Sequence, residues 1–224
     1  MMITKTILCY GDSNLRGYIP GSLNNDTLLH KRYPLNQRWP GILQNKLGNA
    51  FHIIEEGLAG RTVSFDEMDL TKSSRNGLKD LPLFLESHYP LDTIILSLGT
   101  NDVKAYFNCS VEQIAKRMEL LIDFIQSSNK GISGELPKIL LIAPPPLIQP
   151  THPHPLFPVV FLYESIQKSI ILPQYYKILA EKKRVEFLDA SQIIKSSLLD
   201  GIHWEASQHH ILAEKISQKI SLMK

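Results

Sequence analysis

Four short runs of the chain are apolar almost without interruption: Thr6–Tyr10, Phe51–Glu55, Thr93–Leu98 and Lys138–Ala143. They are too short for helices and rich in β-branched residues, so they read as strands covered on both faces, as in a parallel sheet. A weaker fifth run is Val185–Leu188. Between the runs the period changes. Trp39–Leu47 places apolar residues at Trp39, Ile42, Leu43 and Leu47, and Val111–Ile125 places them at Val111, Ile114, Met118, Leu121, Ile122 and Ile125. Steps of three and four mark amphipathic helices, and the segments Ser165–Lys182 and Glu205–Leu222 follow the same rule. Strands alternating with helices predict an α/β fold: a three-layer flavodoxin-like sandwich, about five parallel strands with helices on both faces.

The prolines interrupt this pattern at one place. Ala143 to Pro158 contains Pro144, Pro145, Pro146, Pro150, Pro153 and Pro155, which excludes regular helix and central strand. The expectation is a long ordered loop beyond the carboxyl end of the fourth strand, where α/β sheets place their sites. A chain of 224 residues suits one buried core, hence a single domain over residues 1–224.

A net charge of +2 with scattered Lys and Arg argues against nucleic acid and anionic membrane as partners. No apolar stretch is long enough to span a bilayer, and the first strand begins too early for a cleavable signal peptide. Cys9 and Cys109 are too few for a disulfide framework or a zinc cluster, so the expected compartment is a reducing cytoplasm.

Candidate chemistry begins with Gly11-Asp12-Ser13-Asn14, directly after the first strand. A phosphate cradle calls for more glycines and a nearby Lys, and Asp12 would repel the phosphate. A nucleophile calls for a base and a group to orient that base, and Asp200-Gly201-Ile202-His203 supplies both types. Taken alone, Asp-x-x-His also fits a capped turn with a surface histidine. Acyl transfer further needs donors for an oxyanion. Gly60, in the loop after the second strand, and Asn101, after the third, are of the right kind. Either one alone reads equally well as a turn residue. In a parallel sheet, however, all of these loops converge on one edge.

The set Gly11-Asp12-Ser13, Gly60, Gly99-Thr100-Asn101-Asp102 and Asp200-Gly201-Ile202-His203 resembles the four blocks of the SGNH (GDSL-type) hydrolases, in order and across nearly the whole chain. Further stretches, Arg38-Trp39, the run from Glu55 to Thr62, the run from Leu98 to Phe107 and Ala143-Pro144-Pro145-Pro146, resemble bacterial arylesterases that also act as acyltransferases and perhydrolases. The resemblance implies Ser13 as nucleophile, His203 as base and Asp200 as its orienter. It implies an oxyanion hole from the Ser13 and Gly60 N–H groups and the Asn101 side chain. It also implies a small ester substrate, no cofactor, and a homo-oligomer. The sequence departs from that subgroup after the nucleophile, where Asn14-Leu15-Arg16 stands in place of a segment ending in Trp.

Asn14, Arg16, Ile202 and Trp204 are therefore candidate pocket residues, and Phe157 and Phe161 fit a pocket or the core equally. His152 and His154, flanked by prolines, lack a third partner at metal-ligand spacing, so no metal is expected. His209 and His210 are expected on the surface of the last helix, and Asp102 and Lys104 are expected to position the Asn101 loop. Two rival readings are a flavodoxin-like nucleotide- or flavin-binding module and a non-catalytic oligomeric scaffold.

Overall fold

The computed structural model describes residues 4–23, 31–66, 73–152 and 154–223. Five strands form one parallel sheet: β1 (Lys5–Gly11), β2 (Phe51–Gly57), β3 (Thr93–Ser97), β4 (Lys138–Ala143) and β5 (Glu186–Asp189), in the order β2-β1-β3-β4-β5. The register sets Ile7 opposite Ile53 and Thr93, and Ile95 opposite Leu140. Successive side chains point to opposite faces. Ile7 and Cys9 accordingly join Ile95, Leu140 and Ile142 on one side, while Leu8 and Tyr10 join Ile94, Leu96 and Leu141 on the other.

Each face is roofed by helices. Residues of α2 (Trp39–Leu47) and α6 (Ala206–Leu222) cover the first face. Residues of α3 (Gly77–His88), α4 (Val111–Ser127) and α5 (Tyr163–Lys183) cover the second. This is the expected three-layer α/β sandwich. The helix α4 begins with a complete capping box, Ser110 with Gln113, which satisfies donors at its first turn. The sequence pattern predicts no helix over residues 77–88, and α3 is the correction. Its buried residues Gly77, Leu81 and Leu85 step by four, but Pro82 sits in the middle of the helix and masks the pattern.

The proline-rich segment is loop, as expected, with Pro153 outside the described residues. It is stitched to the segment that carries Asp200: the Ser196 hydroxyl donates to the Pro146 carbonyl (2.8 Å), Ile148 N–H to the Gly201 carbonyl (3.0 Å) and Thr151 N–H to the Leu198 carbonyl (2.9 Å). The close approach requires glycine at 201. Its φ is +73°, and a Cβ there would meet the Ile148 carbonyl oxygen at 2.1 Å.

Candidate active site

The strand order reverses direction at β1, whose neighbours are β2 and β3, and this is where open α/β sheets leave a crevice beyond their carboxyl ends. Ser13 lies at that point, as the first residue of the single-turn helix α1 (Ser13–Arg16). The Asp12 carboxylate caps the turn by accepting from Asn14 N–H at 2.9 Å. Asp12 is thus a structural acceptor. Burial pushes its carboxyl up to about 6, against the Asn14 N–H, the nearby His203 and the Thr100 hydroxyl, which pull it down.

Ser13 Oγ lies 3.0 Å from His203 Nε2, and His203 Nδ1 lies 2.8 Å from Asp200 Oδ2. Asp200 is fully buried and also accepts from Gly21 N–H (3.1 Å), Ile202 N–H (3.0 Å) and His203 N–H (2.9 Å). Burial alone would raise its pKa. The His203 side chain and the two backbone donors outweigh that and hold it well below the usual carboxylate range. An ionised Asp200 fixes the proton of neutral His203 on Nδ1, which leaves the Nε2 lone pair facing the Ser13 hydroxyl.

The loops after β2 and β3 meet beside this row. Asn101 Nδ2 donates to the Arg61 carbonyl at 3.1 Å, which fixes which end of the amide is nitrogen and leaves its second hydrogen for another acceptor. Asp102 Oδ1 accepts from Val63 N–H at 2.8 Å, so Asp102 ties the two loops together. Burial raises the Asp102 carboxyl to about 7, against the Val63 N–H that lowers it; neighbouring Asp12 adds to the rise. Gly60 adopts φ +79°, and its N–H makes no hydrogen bond among the described residues.

The remaining candidates fall into place as follows. Asn14 is buried, and its Nδ2 donates to the Ile202 carbonyl at 3.4 Å. Ile202 is buried in the same core cluster as Phe157 and Phe161, whereas Trp204 lies in the layer of α2 and α6. Arg16 is half-buried, and its guanidinium sits 6.0 Å over the Tyr18 ring. Tyr18 in turn stands 5.6 Å from the His203 ring. Tyr18 was not singled out from the sequence, although its position five residues past Ser13 was a usable signal.

His154 is buried. Its Nδ1 accepts from Leu156 N–H (3.3 Å), and it borders a cavity of about 310 Å³ that Gly21, His152 and Leu199 also line. Among the described residues no group of three or more His, Cys, Asp or Glu side chains is placed to hold a metal. His210 is exposed, as expected, but His209 is not. It is fully buried: Nδ1 lies 3.4 Å from Trp39 N–H, and the ring lies 5.7 Å from Trp204. The reason is its stripe, since His209 steps by three and four to the buried Leu212, Ala213 and Ile216. Burial lowers its pKa to about 3, keeping the ring neutral.

Residues 9–211 match the model of the GDSL-like lipase/acylhydrolase family. The chain belongs to that family. Among solved structures, this acylhydrolase is similar to the native M. smegmatis aryl esterase (35% identity over 99% of this chain and 100% of that one, TM-score 0.89). It is also similar to Est24, a carbohydrate acetylesterase from Sinorhizobium meliloti (38% identity, 99% and 100% coverage, TM-score 0.88). A third is a putative arylesterase from Agrobacterium tumefaciens str. C58 (30% identity, 97% and 99% coverage, TM-score 0.85). No curated protein was found to match. Family and structures together make this chain an ester-hydrolysing enzyme, and the binding-module and scaffold readings fall away. Among the described residues no helix is long and apolar enough to cross a membrane.

Proposed function

We propose that this acylhydrolase is a serine esterase for small esters with short acyl groups, with Ser13 as nucleophile, His203 as general base and Asp200 as the group that orients it. The observation that carries the reading is the row Ser13 Oγ to His203 Nε2 to Asp200, at 3.0 and 2.8 Å. Ser13 Oγ attacks the ester carbonyl carbon as His203 Nε2 takes its proton. The tetrahedral oxyanion is received by the Ser13 N–H, the Gly60 N–H and the second hydrogen of Asn101 Nδ2. Collapse breaks the bond to the alcohol oxygen, which leaves with the proton from His203. Water, activated by the same imidazole, then releases the acid and restores Ser13.

An alcohol or a peroxide can replace water in the second half. The deep burial of Ser13 and His203 supports such transfer, because it limits competing water. Asn14, Arg16, Ile202 and Trp204 are proposed to shape the pocket and its support. The whole chain is proposed to act as one domain in the cytoplasm, without a cofactor. Exposed apolar residues at Val159, Tyr163, Ile170 and Ile171 support association into a homo-oligomer.

The test is Ser13→Ala on a panel of p-nitrophenyl esters of increasing chain length, together with labelling by a fluorophosphonate. Loss of nearly all activity and of labelling, in a protein that still folds, is expected. Activity within tenfold of the parent would sink the assignment.

A further inference from the structure

Arg61 is almost wholly buried, and the reaction described above gives it no task. A buried guanidinium is costly unless its donors are met. Here Nη1 is met by main chain and not by a carboxylate, donating to the Gly11 carbonyl (3.0 Å) and to the Glu56 carbonyl, while the buried Nε finds no hydrogen-bond partner among the described residues. Among the described residues Arg61 makes no ion pair. The cation instead lies 4.2 Å over the Tyr10 ring and 5.3 Å over the Phe84 ring, and both contacts favour it.

The two carbonyls close the ends of β1 and β2. Gly11 stands two residues before Ser13, and Glu56 stands four before Gly60. The main chain of Arg61 does a third job. Its carbonyl holds Asn101 Nδ2, while its own N–H is bound to the Leu58 carbonyl at 3.0 Å. One residue is therefore bonded to the segment before Ser13, adjoins Gly60, and grips Asn101.

We infer that Arg61 is the positioning residue of the oxyanion hole, setting its three donors at their mutual spacing from beneath. The inference rests on the proposed oxyanion hole. Arg61 does not touch substrate. A guanidinium suits this task because its planar face stacks on the Tyr10 and Phe84 rings and so aims Nη1 at two fixed carbonyls, a placement that an ammonium on a flexible stem lacks. A misplaced donor costs most when charge is on the oxygen, so the loss should fall on kcat and not on KM.

The test compares Arg61→Lys and Arg61→Ala with the parent, with rates expressed per folded protein after thermal melting has fixed the folded fraction. Arg61→Lys should lower kcat by about thirtyfold or more with KM within threefold. Added guanidinium ion should restore Arg61→Ala at least tenfold and saturably, whereas methylammonium should not. Because Arg61 positions the hole of which Asn101 is one donor, the Arg61→Lys and Asn101→Ala losses should be clearly less than additive in the double variant.

Variants that melt earlier yet keep parental kcat would overturn the inference while leaving the esterase reading intact. If Ser13→Ala kept its activity, both would fall. A measurement on the parent guards against variants that fail to fold. With ¹⁵N-labelled arginine, the shielded Arg61 Nη resonances should shift when Ser13 is phosphonylated and the hole fills. Unmoved resonances would overturn the inference.

Discussion

Replacing Asp200 by asparagine tests the orienting role with almost no change of shape. Oδ1 of Asp200 accepts two backbone N–H groups, from Ile202 at 3.0 Å and His203 at 2.9 Å, so the amide oxygen of the substituted side chain is held to that side. Its NH₂ then occupies the Oδ2 position, facing Gly21 N–H and the proton on His203 Nδ1, where Asp200 accepted at 3.1 and 2.8 Å. Donor would oppose donor at both. His203 can relieve its half by moving the proton to Nε2, but Nε2 then donates to Ser13 Oγ and ceases to be a base.

A wrong tautomer in such a row costs about 10³- to 10⁴-fold in kcat, or about 4 to 5.5 kcal/mol. The unanswered Gly21 N–H adds about 1–3 kcal/mol of lost stability. The pH dependence has a definite sign. The folded pKa of Asp200 is depressed, so its contribution to stability is complete above the unfolded value, about 3.9, and is lost as pH falls through the folded value. The Tm gap between parent and Asp200→Asn should be wide at pH 7 and narrow below about pH 4. Steady-state hydrolysis of p-nitrophenyl acetate and melts by circular dichroism check both parts. A kcat within tenfold of the parent would refute the tautomer argument, as would a Tm gap that widens on acidification.

Two further outcomes are expected. Arg32 donates to the Arg16 carbonyl, and Arg32 and Arg38 share Glu55, so the Arg16 guanidinium meets only the Tyr18 ring among the described residues and is available to a substrate carboxylate. Arg16→Trp should shift the kcat/KM ratio about tenfold toward a neutral aryl acetate over its carboxylate-bearing counterpart, about 1.4 kcal/mol, and an unchanged ratio would place Arg16 outside the pocket. Neutral, buried His209 has a folded pKa of about 3, below its unfolded value near 6.5, so acid should erode stability between those limits by up to about 1.4 kcal/mol per pH unit. A His209→Leu protein should show a flatter acid limb in its melting profile, and equal slopes would count against the burial argument.

The sheet was legible because both of its faces are covered: strands such as Lys138–Ala143 had to be apolar at nearly every position, and their limits follow. The long amphipathic stripe of α4 was equally plain. The proposed site was legible as residue types, because Asp200 and His203 stand three apart and the other groups follow strand ends. What could not be read was anything fixed by contacts between distant segments. Arg61 looks like an ordinary loop cation until Gly11 and Asn101 are brought beside it. His209 was misplaced for a different reason. Its polarity points to the surface, whereas its phase with Leu212, Ala213 and Ile216 puts it on the buried stripe.

The layer that holds His209 also has an optical consequence. The chain has two tryptophans, Trp39 and Trp204, and both lie in the α2 and α6 layer, essentially without exposure. Trp204 directly follows His203, the proposed general base, in sequence, and its ring stands 5.7 Å from His209. Indole emission from this enzyme is therefore a one-sided signal, blue-shifted while the loop around His203 is seated and blind to the layer of α3, α4 and α5. Loosening of the loop around His203 would redden that emission while ellipticity from the opposite helices held steady. Coincident traces from the two probes would mean that seating His203 and folding the sandwich are a single cooperative event.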